Sequence, residues 1–355
     1  MEEMVAFPMK GGSGLNSYTR NSFFQRKATE DAKELIKKAI DEKLEINNFS
    51  SLNTFRVADL GCSVGPNTFL AVQNIADALE HRCKRQGLGS HQLPEIQVFF
   101  SDHTSNDFNQ LFDSLPSERR YYAAGVPGSF HGRLFPSSSI HFFHSAHALQ
   151  WLSRVPEGVV DKSSPAWNKG RVHYSNSADE VLKSYEAQYF KDMHRFLSAR
   201  AQEIVHGGLI AFVVPACPNG TPHSQVFINK TLEVLGLSLM DMAKKGMISE
   251  EKVDSFNIPV YNARVQQVEE VVKSNGRFSI EIMESLSHEN PQPRAFASVL
   301  RAGLGELIIQ HFGDKIDLDK LFDLYSQKFE ESSLSALYEP EKAITLFVLL
   351  KRTAN

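Results

Sequence analysis

Apolar residues recur with two different periods in the first two thirds of the chain. A spacing of three and four positions predicts amphipathic helices over Glu30–Ile46, Asn67–Leu79 and Asp179–Val205, the last closed by Gly207-Gly208. Short apolar runs bounded by turn residues predict strands between the helices. These runs are Arg56–Leu60, Ile96–Phe100, Ile140–Phe143 and Leu209–Val214. Because strands alternate with helices, we expect an α/β fold on a mostly parallel sheet with both faces covered.

Helical spacing dominates the last third of the chain. It predicts helices over Phe227–Ala243, Ala295–Phe312 and Leu318–Phe329, with strands over Phe278–Met283 and Ile344–Leu350. We interpret this part as helical cap insertions folded over the sheet, with two late strands completing it. The expected core comprises 1–155, with an N-terminal helical segment, then 206–220, 263–285 and 341–355; connecting helices occupy 156–205, and the cap comprises 221–262 and 286–340.

Composition and charge exclude several classes of protein. The 355 residues include 38 basic and 42 acidic side chains, a net charge of −4, with no long run of Lys and Arg, so we expect no binding to nucleic acid or an anionic membrane. No apolar run approaches the ~20 residues that cross a bilayer, and the first ten residues carry two acids where a signal peptide is basic and then apolar. Cys62, Cys83 and Cys217 are too widely spaced for a disulfide framework or a zinc site. These features predict a soluble cytoplasmic protein.

The segment DLGCSVG, from Asp59 to Gly65, lies between a predicted strand and a predicted helix. Its glycines can serve the geometry of a turn alone. A dinucleotide site is disfavoured, because Ser63 stands where G-x-G-x-x-G has its middle glycine. Gly61–Gly65 also matches G-x-S-x-G, the turn that carries the nucleophile of serine hydrolases, here Ser63. Against a hydrolase, little before residue 55 is predicted as strand, and an anionic Asp59 disfavours negative charge on Ser63.

A second acid at a neighbouring strand end favours a nucleoside ligand. Gln97–Ser101 is predicted as a strand, and Asp102 follows it directly. Carboxylates at two neighbouring strand ends can pair with a cationic amino acid group and accept both hydroxyls of a ribose. S-adenosylmethionine carries both groups. Taken alone, Asp102 is also typical of a solvated loop acid or a helix cap.

Motifs spread over nearly the whole chain carry a more specific signal than any one segment. They are Gly11-Gly12, Asn16-Ser17-Tyr18, Asn21-Ser22, ADLGCSVGPNTF (58–69), Asn106–Asn109, GVPGSFHGRLFP (125–136), WLSRVPE (151–157), WNKGRV (167–172), ARAQEIV (199–205) and DSFNIPVY (254–261). Together they resemble the SABATH family, plant S-adenosylmethionine-dependent methyltransferases that act on small carboxylic acids and, in some members, on xanthine alkaloids. The resemblance implies a class I methyltransferase fold, Rossmann-like with a helical cap, in a homodimer that releases S-adenosyl-L-homocysteine.

The resemblance also assigns roles to individual positions. Those matching cofactor contacts are Tyr18, Ser22, Asp59, Gly61, Cys62, Asn67, Asp102, His103, Ser129, Phe130 and Ser145. Those matching acceptor contacts are Tyr18, Gln25, His147, Gln150, Trp151 and Tyr261, and among them Gln25, His147 and Trp151 are the predicted catalytic residues. Those matching a magnesium site of some relatives are Asn168, Asp254, Phe256 through its carbonyl, and Asn257. Oxygen ligands suit magnesium, although Asp254 and Asn257 are equally typical of structural caps.

The acceptor-contacting positions favour a carboxylic acid. In carboxylate-methylating relatives an equivalent Gln and Trp hold the acid group, and Gln25 and Trp151 offer N–H donors without a neutralising cation. A carboxylate is already ionised at pH 7, so in-line methyl transfer to it needs no general base. We therefore expect O-methylation of a small carboxylic acid, with residues 152–170 resembling the loganic-acid and farnesoic-acid branch. The alternative is N-methylation of a xanthine, because His147 replaces the family's common Tyr and can accept the proton of a ring N–H.

Overall fold

The computed structural model describes residue 9 and residues 11–44, 53–286, 293–332 and 338–353. The first eight residues, on which part of the signal-peptide argument depends, lie outside the described residues. So do residues 45 and 46, the end of the helix predicted from Glu30. Before that end, the structure divides the predicted helix at Ala32 into two shorter helices.

Within the described residues, the core is a seven-stranded sheet with the order β3-β2-β1-β4-β5-β7-β6. The strands are β1 (Thr54–Leu60), β2 (Glu95–Asp102), β3 (Tyr122–Pro127), β4 (Ile140–Ala146), β5 (Ile204–Ala216), β6 (Phe278–Leu286) and β7 (Ile344–Arg352). The first five are parallel, and β7 lies antiparallel between β5 and β6. The predicted mostly parallel α/β sheet is confirmed.

Helices cover both faces of this sheet. They are α1 (Tyr18–Asn21), α2 (Phe23–Asp31), α3 (Lys33–Glu42), α4 (Pro66–Arg85), α5 (Phe108–Asp113), α6 (Asp179–Glu203), α7 (Phe227–Lys244), α8 (Glu250–Ser255), α9 (Val265–Asn275), α10 (Pro293–Phe312) and α11 (Leu318–Glu331). Leu346, Val348 and Leu350 of β7 pack in one buried cluster with α6 and α9, while Phe347 and Leu349 pack in another with α3 and α4. This alternation follows from the two-residue period of a strand, and it explains the unbroken apolar run from Leu346 to Leu350.

Helices α7, α8, α10 and α11 form a third buried cluster of their own. Side chains such as Leu235, Ile308, Phe322 and Phe329 pack there without contributing to the two clusters on the sheet. None of the helices within the described residues combines the length and the apolar character that a bilayer crossing needs.

One predicted boundary is wrong. The pattern placed Gly207-Gly208 after a helix ending at Val205, but α6 ends at Glu203 and β5 begins at once at Ile204. Ile140 of β4 pairs with Ile204, and two residues later Phe142 pairs with Leu209, so β5 carries extra residues between these pairs. The glycines serve this bulge: a Cβ on Gly208 would lie 2.8 Å from the carbonyl oxygen of His141.

Candidate active site

Asp59 is the last residue but one of β1, and the parallel register places it beside Phe100 of β2 and His144 of β4. Its carboxylate is buried, and Oδ1 lies 2.7 Å from Nδ1 of His144. The hydroxyl of Thr68, in the first turn of α4, donates to the other oxygen. Both oxygens of Asp59 are therefore fixed by neighbouring elements at the carboxyl end of the sheet.

The loop from Gly61 to Gly65 folds tightly between β1 and α4. Gly61 has a φ of 81°, and a Cβ at this position would lie 2.3 Å from the Cβ of Ala148, so only glycine fits. Ser63 also has positive φ, 52°, and its amide donates to Oδ2 of Asp102 at 2.7 Å. The loop thus connects the acid at the tip of β1 to the acid at the tip of β2.

Asp102 accepts a second backbone hydrogen bond from His103, at 2.7 Å to Oδ1. Burial raises the pKa of Asp102 above its ordinary value, and the bond from the Ser63 amide opposes that rise. Burial, reinforced by the charges of Asp102 and Asp59, raises the pKa of the Tyr18 phenol well above its usual range. The phenol is therefore a hydrogen-bond donor at any physiological pH. The same causes raise the pKa of the Cys62 thiol, which stays protonated.

The loop after β3 carries Ser129 and Phe130, and a buried ion pair holds it in place. The Phe130 ring packs edge-on against Phe196 of α6 and lies beside Gly61. In the last turn of α6, Arg200 donates to the carbonyl oxygens of Phe130 and Gly132, both at 2.7 Å. Arg200 also pairs with Glu203 at 2.7 Å, and both side chains are completely buried.

The N-terminal segment packs against the start of α4. The side-chain amide of Asn67, at the start of α4, donates to the hydroxyl of Ser22 at 2.9 Å and to its carbonyl oxygen at 3.0 Å. These bonds fix the junction of α1 and α2, and with it Tyr18 and Gln25. The hydroxyl of Ser145, a predicted cofactor contact, donates instead to the carbonyl oxygen of Leu60 at 2.8 Å.

A cavity of about 170 Å³ lies between the sheet and helices α7 and α10. Five of the six predicted acceptor contacts line it: Tyr18, Gln25, His147, Gln150 and Trp151. Most of the other lining side chains are apolar, and several come from α7 and α10, such as Leu232, Phe296 and Leu300. The cavity therefore suits a ligand whose body is apolar and whose polar groups are few.

The sixth predicted contact, Tyr261, does not line this cavity. Its ring packs between Tyr174 and Tyr189 at centroid distances of 4.9 and 5.2 Å, and its hydroxyl donates to Gln267 at 3.0 Å. The structure thus gives Tyr261 a packing role, with its polar atom already bonded. Its sequence neighbour Asn262 does line the cavity, as does Tyr338, and neither was predicted from the sequence.

A second, smaller pocket of about 20 Å³ adjoins Asp59. Its lining includes the predicted cofactor contacts Tyr18, Asp59, Gly61, Cys62 and Asn67. Tyr18 and Gln25 line both this pocket and the larger cavity. The two sites therefore meet at these two side chains, as a transfer between two bound molecules requires.

Comparison with known proteins identifies the chain. A family model described as SAM dependent carboxyl methyltransferase matches residues 4–353. The chain belongs to this family. The loganic acid O-methyltransferase of Catharanthus roseus is 43% identical, with 99% of this chain and 95% of that protein covered. A farnesoic acid carboxyl-O-methyltransferase of Arabidopsis thaliana is 37% identical, with 98% and 99% covered.

A solved structure titled loganic acid methyltransferase with SAH superposes on this chain with a TM-score of 0.93. The two sequences are 43% identical, and the superposition covers 98% of this chain and 99% of the solved one. The predicted class I, Rossmann-like methyltransferase fold and the SABATH resemblance are confirmed. The methyltransferase uses S-adenosylmethionine, and it O-methylates the carboxylate of a small plant metabolite. Asp102, His103, Ser129 and Phe130 do not line the pocket beside Asp59, and the predicted contacts of individual residues with the cofactor stay predictions.

The hydrolase interpretation of Ser63 lacks the hydrogen bond on which it depends. A serine nucleophile needs a base in contact with its hydroxyl. Oγ of Ser63 has no hydrogen-bond partner among the described residues, and His144 is paired with Asp59 instead. The glycines of this G-x-S-x-G segment form the turn, and the amide of Ser63 donates to Asp102.

The positions matched to magnesium form a hydrogen-bond network. Oδ1 of Asn168 accepts from Ser177 and Oδ1 of Asn257 accepts from Asn168, both at 2.7 Å. Asp254 accepts from the amide of Gly170 at 2.8 Å. The amide oxygens of Asn168 and Asn257 therefore already accept hydrogen bonds, as expected of residues with a structural role, and magnesium binding stays a prediction. No cluster of three or more His, Cys, Asp or Glu suited to a metal occurs in the described parts of the chain.

Proposed function

We propose that the acceptor is a small, largely apolar carboxylic acid whose carboxylate is held by Gln25 and Trp151. The observation that carries this proposal is the position of Gln25, which lines the acceptor cavity and also the pocket beside Asp59. A carboxylate bound at Gln25 lies at the point where the two sites meet. Two of the relatives are likewise named for carboxylic acids, loganic acid and farnesoic acid.

The charge of the cavity supports the same acceptor. Across the ranges that the structure describes, no Lys, Arg, Asp or Glu lines it. A cation would hold a carboxylate tightly but would withdraw the electron density with which it attacks. The neutral N–H groups of a Gln amide and a Trp indole orient the oxygen and leave it nucleophilic.

S-adenosylmethionine, when bound, supplies an electrophilic methyl group on a sulfonium. The residues of this chain do the rest by position. Asp59 and Asp102 hold the cofactor at the strand ends, Gln25 and Trp151 aim the carboxylate, and the apolar wall excludes water from it. Alignment of two reactants can lower the free-energy barrier by about 7–11 kcal/mol. A carboxylate is ionised at pH 7 and needs no base.

Two single-residue variants test the acceptor assignment. Gln25→Ala removes the amide, and Trp151→Phe removes only the indole N–H and part of the ring. A hydrogen bond to a charged group contributes about 1.5–3 kcal/mol, so each variant should lower kcat/KM for an acid roughly 10- to 100-fold. Calorimetric affinity for S-adenosylhomocysteine should stay within about twofold of the wild type. An equal loss of cofactor affinity would show that these residues serve the cofactor instead.

An acceptor panel tests the chemistry itself. Loganic, farnesoic, salicylic, benzoic, jasmonic, indole-3-acetic and gibberellic acids are assayed beside xanthine, theobromine and paraxanthine. We expect turnover of one or more acids and none of the purines. Turnover confined to the purines would overturn the carboxylate proposal and would give His147 the role of proton acceptor. The homodimer and the cytoplasmic location stay predictions, to be tested by light scattering and by imaging of a tagged chain.

A further inference from the structure

The side-chain amide of Asn262 has a fixed orientation. Its Nδ2 donates to Oδ1 of Asn229 at 2.8 Å, and Nδ2 of Asn229 donates to the carbonyl oxygen of His223 at 3.0 Å. A backbone carbonyl accepts and cannot donate, so Asn229 turns its nitrogen to His223 and its oxygen to Asn262. Asn262 must then direct its own nitrogen to Asn229 and its oxygen away from it.

That oxygen has no partner among the described residues. Asn262 is 0% exposed, its Oδ1 is buried, and the residue lines the acceptor cavity. Folded proteins pair nearly all of their buried polar atoms, because an unpaired acceptor loses its water without replacement. A ligand in the cavity that carries a donor would restore the missing hydrogen bond.

Gln150 presents a second acceptor in the same way. Its Nε2 donates to the carbonyl oxygen of His147 at 2.8 Å, which fixes the amide, and its buried Oε1 has no partner within the described ranges. The amide of Tyr261 donates to the carbonyl oxygen of Gln150 at 2.8 Å, so the segments that carry Gln150 and Asn262 adjoin. Two anchored amides thus turn oxygens, and not N–H groups, toward their surroundings.

Gln25 differs from both. Its Oε1 is also buried without a partner among the described residues, but no hydrogen bond to one of them fixes its amide. It can therefore rotate and offer N–H groups to a carboxylate. The cavity combines one adaptable amide, suited to an anion, with two anchored amide oxygens that would repel one.

We propose that the acceptor acid carries a hydroxyl or N–H group besides its carboxyl, and that this group donates to Oδ1 of Asn262, with Oε1 of Gln150 as the neighbouring acceptor. This inference rests on the proposed function, because it assumes that the acid group itself is bound at Gln25 and Trp151. It divides small acids into two classes by hydrogen-bonding capacity rather than by size.

The wild-type enzyme gives the first test. Loganic, salicylic, indole-3-acetic and gibberellic acids carry a hydroxyl or N–H donor besides the carboxyl, whereas farnesoic, benzoic and jasmonic acids carry none. The acid with the highest kcat/KM should belong to the first class and should exceed its analogue lacking the donor, or bearing it methylated, roughly 10- to 100-fold. A donor-free acid as the best substrate would overturn the inference while leaving the proposed function intact.

Two variants give the second test. Asn262→Leu and Gln150→Met keep approximate volume and remove the acceptor oxygen. For Asn262→Leu we expect the preference of the best acid over its donor-free analogue to fall to within about threefold, because the loss affects only the donor-bearing acid. A purely structural role would lower both acids alike, and an unchanged preference would overturn the inference.

If Asn262→Leu does not fold, the wild-type comparison stands without it, and Gln150→Met should reduce the same preference to a smaller extent. If the wild-type enzyme methylates none of the acids, the proposed function itself fails. A crystal structure with S-adenosylhomocysteine and the best acid adds a direct observation: Oδ1 of Asn262 bonded only to a water, with no donor of the acid in reach, would overturn the inference.

Discussion

Asp59 and Asp102 end neighbouring strands but lie in different surroundings. Both oxygens of Asp59 are held by side chains of the protein, His144 and Thr68. Asp102 receives backbone amides only, from Ser63 and His103, and burial raises its pKa. Each oxygen of Asp102 accepts one backbone amide and keeps lone pairs for further donors, so we infer that Asp102 accepts the ribose hydroxyls of the cofactor.

Because burial raises the pKa of Asp102, we expect cofactor binding to depend on pH. The ionised carboxylate accepts hydroxyls, so protonation competes with the cofactor, and affinity falls as the pH drops through the raised pKa. This loss should begin at a higher pH than for an ordinary aspartate, whose pKa is about 3.9. Calorimetry with S-adenosylhomocysteine at a series of pH values measures it.

The matched variant is Asp102→Asn, which keeps the shape and cannot ionise. At neutral pH it should bind S-adenosylhomocysteine roughly 10- to 100-fold more weakly, for loss of charge-assisted bonds, and its affinity should lose this part of the pH dependence. His103 is retained in both proteins, so the difference between the two profiles belongs to the carboxylate. Parallel profiles would contradict the assignment.

At the scale of elements, the end of α6 supports the loop that follows β3. Glu203 accepts from the amides of Leu134 and Phe135, and Arg200 donates to the carbonyl oxygens of Phe130 and Gly132. The buried pair therefore satisfies four backbone groups of a loop that has no regular secondary structure. The loop in turn carries Ser129 and Phe130, the predicted contacts to the cofactor.

Glu203→Gln should destabilise the fold and weaken cofactor binding together. It leaves the charge of Arg200 buried and uncompensated, a change that costs about 3–5 kcal/mol in the free energy of unfolding. Urea unfolding measures this cost, and calorimetry with S-adenosylhomocysteine measures the effect on the loop. Glu269→Gln is the control, because it breaks the exposed pair with Lys273 on α9 and should change stability by less than about 1 kcal/mol. Equal effects of the two variants would show that the buried pair has no special role.

Strands buried on both faces were predictable from the sequence, and so was the edge strand β6, but the edge strand β3 was not. The continuous apolar run of β7 follows from its position between β5 and β6. Strand β3, Tyr122–Pro127, was missed because it lies at the edge of the sheet and its residues are half-buried or exposed. Gly207 and Gly208 gave the wrong helix end because a glycine pair is as typical of a bulge as of a helix terminus.

The residues of the candidate site also differ in whether the sequence could predict them. Asp59 and Asp102 were predictable because parallel strands bring their carboxyl ends to one edge of the sheet. Arg200 contacts a carbonyl 70 positions away, and Asn262 is oriented by an amide 33 positions away. No local period or spacing records such partners, so these residues emerge only from the three-dimensional structure.

At the scale of the whole molecule, the N-terminal segment joins the two binding sites. The pocket beside Asp59 lies against this segment. Tyr18 and Gln25 form part of its wall, and Asn67 holds the segment between them through Ser22. Because Tyr18 and Gln25 line both sites, we expect the bound cofactor to order residues 11–31 and to shape the acceptor cavity.

We expect S-adenosylhomocysteine to slow amide hydrogen exchange in residues 11–31, measured by mass spectrometry. Exchange in α9 should change little. Because both sites share Tyr18 and Gln25, the cofactor product should also tighten binding of the acceptor acid. Thermodynamic linkage then requires the acid to tighten binding of S-adenosylhomocysteine by the same factor, typically 5- to 150-fold at about 1–3 kcal/mol of coupling. Calorimetric titrations in both orders measure that factor. Unchanged exchange in residues 11–31, together with acid affinity independent of the cofactor product, would show that the segment is a static wall.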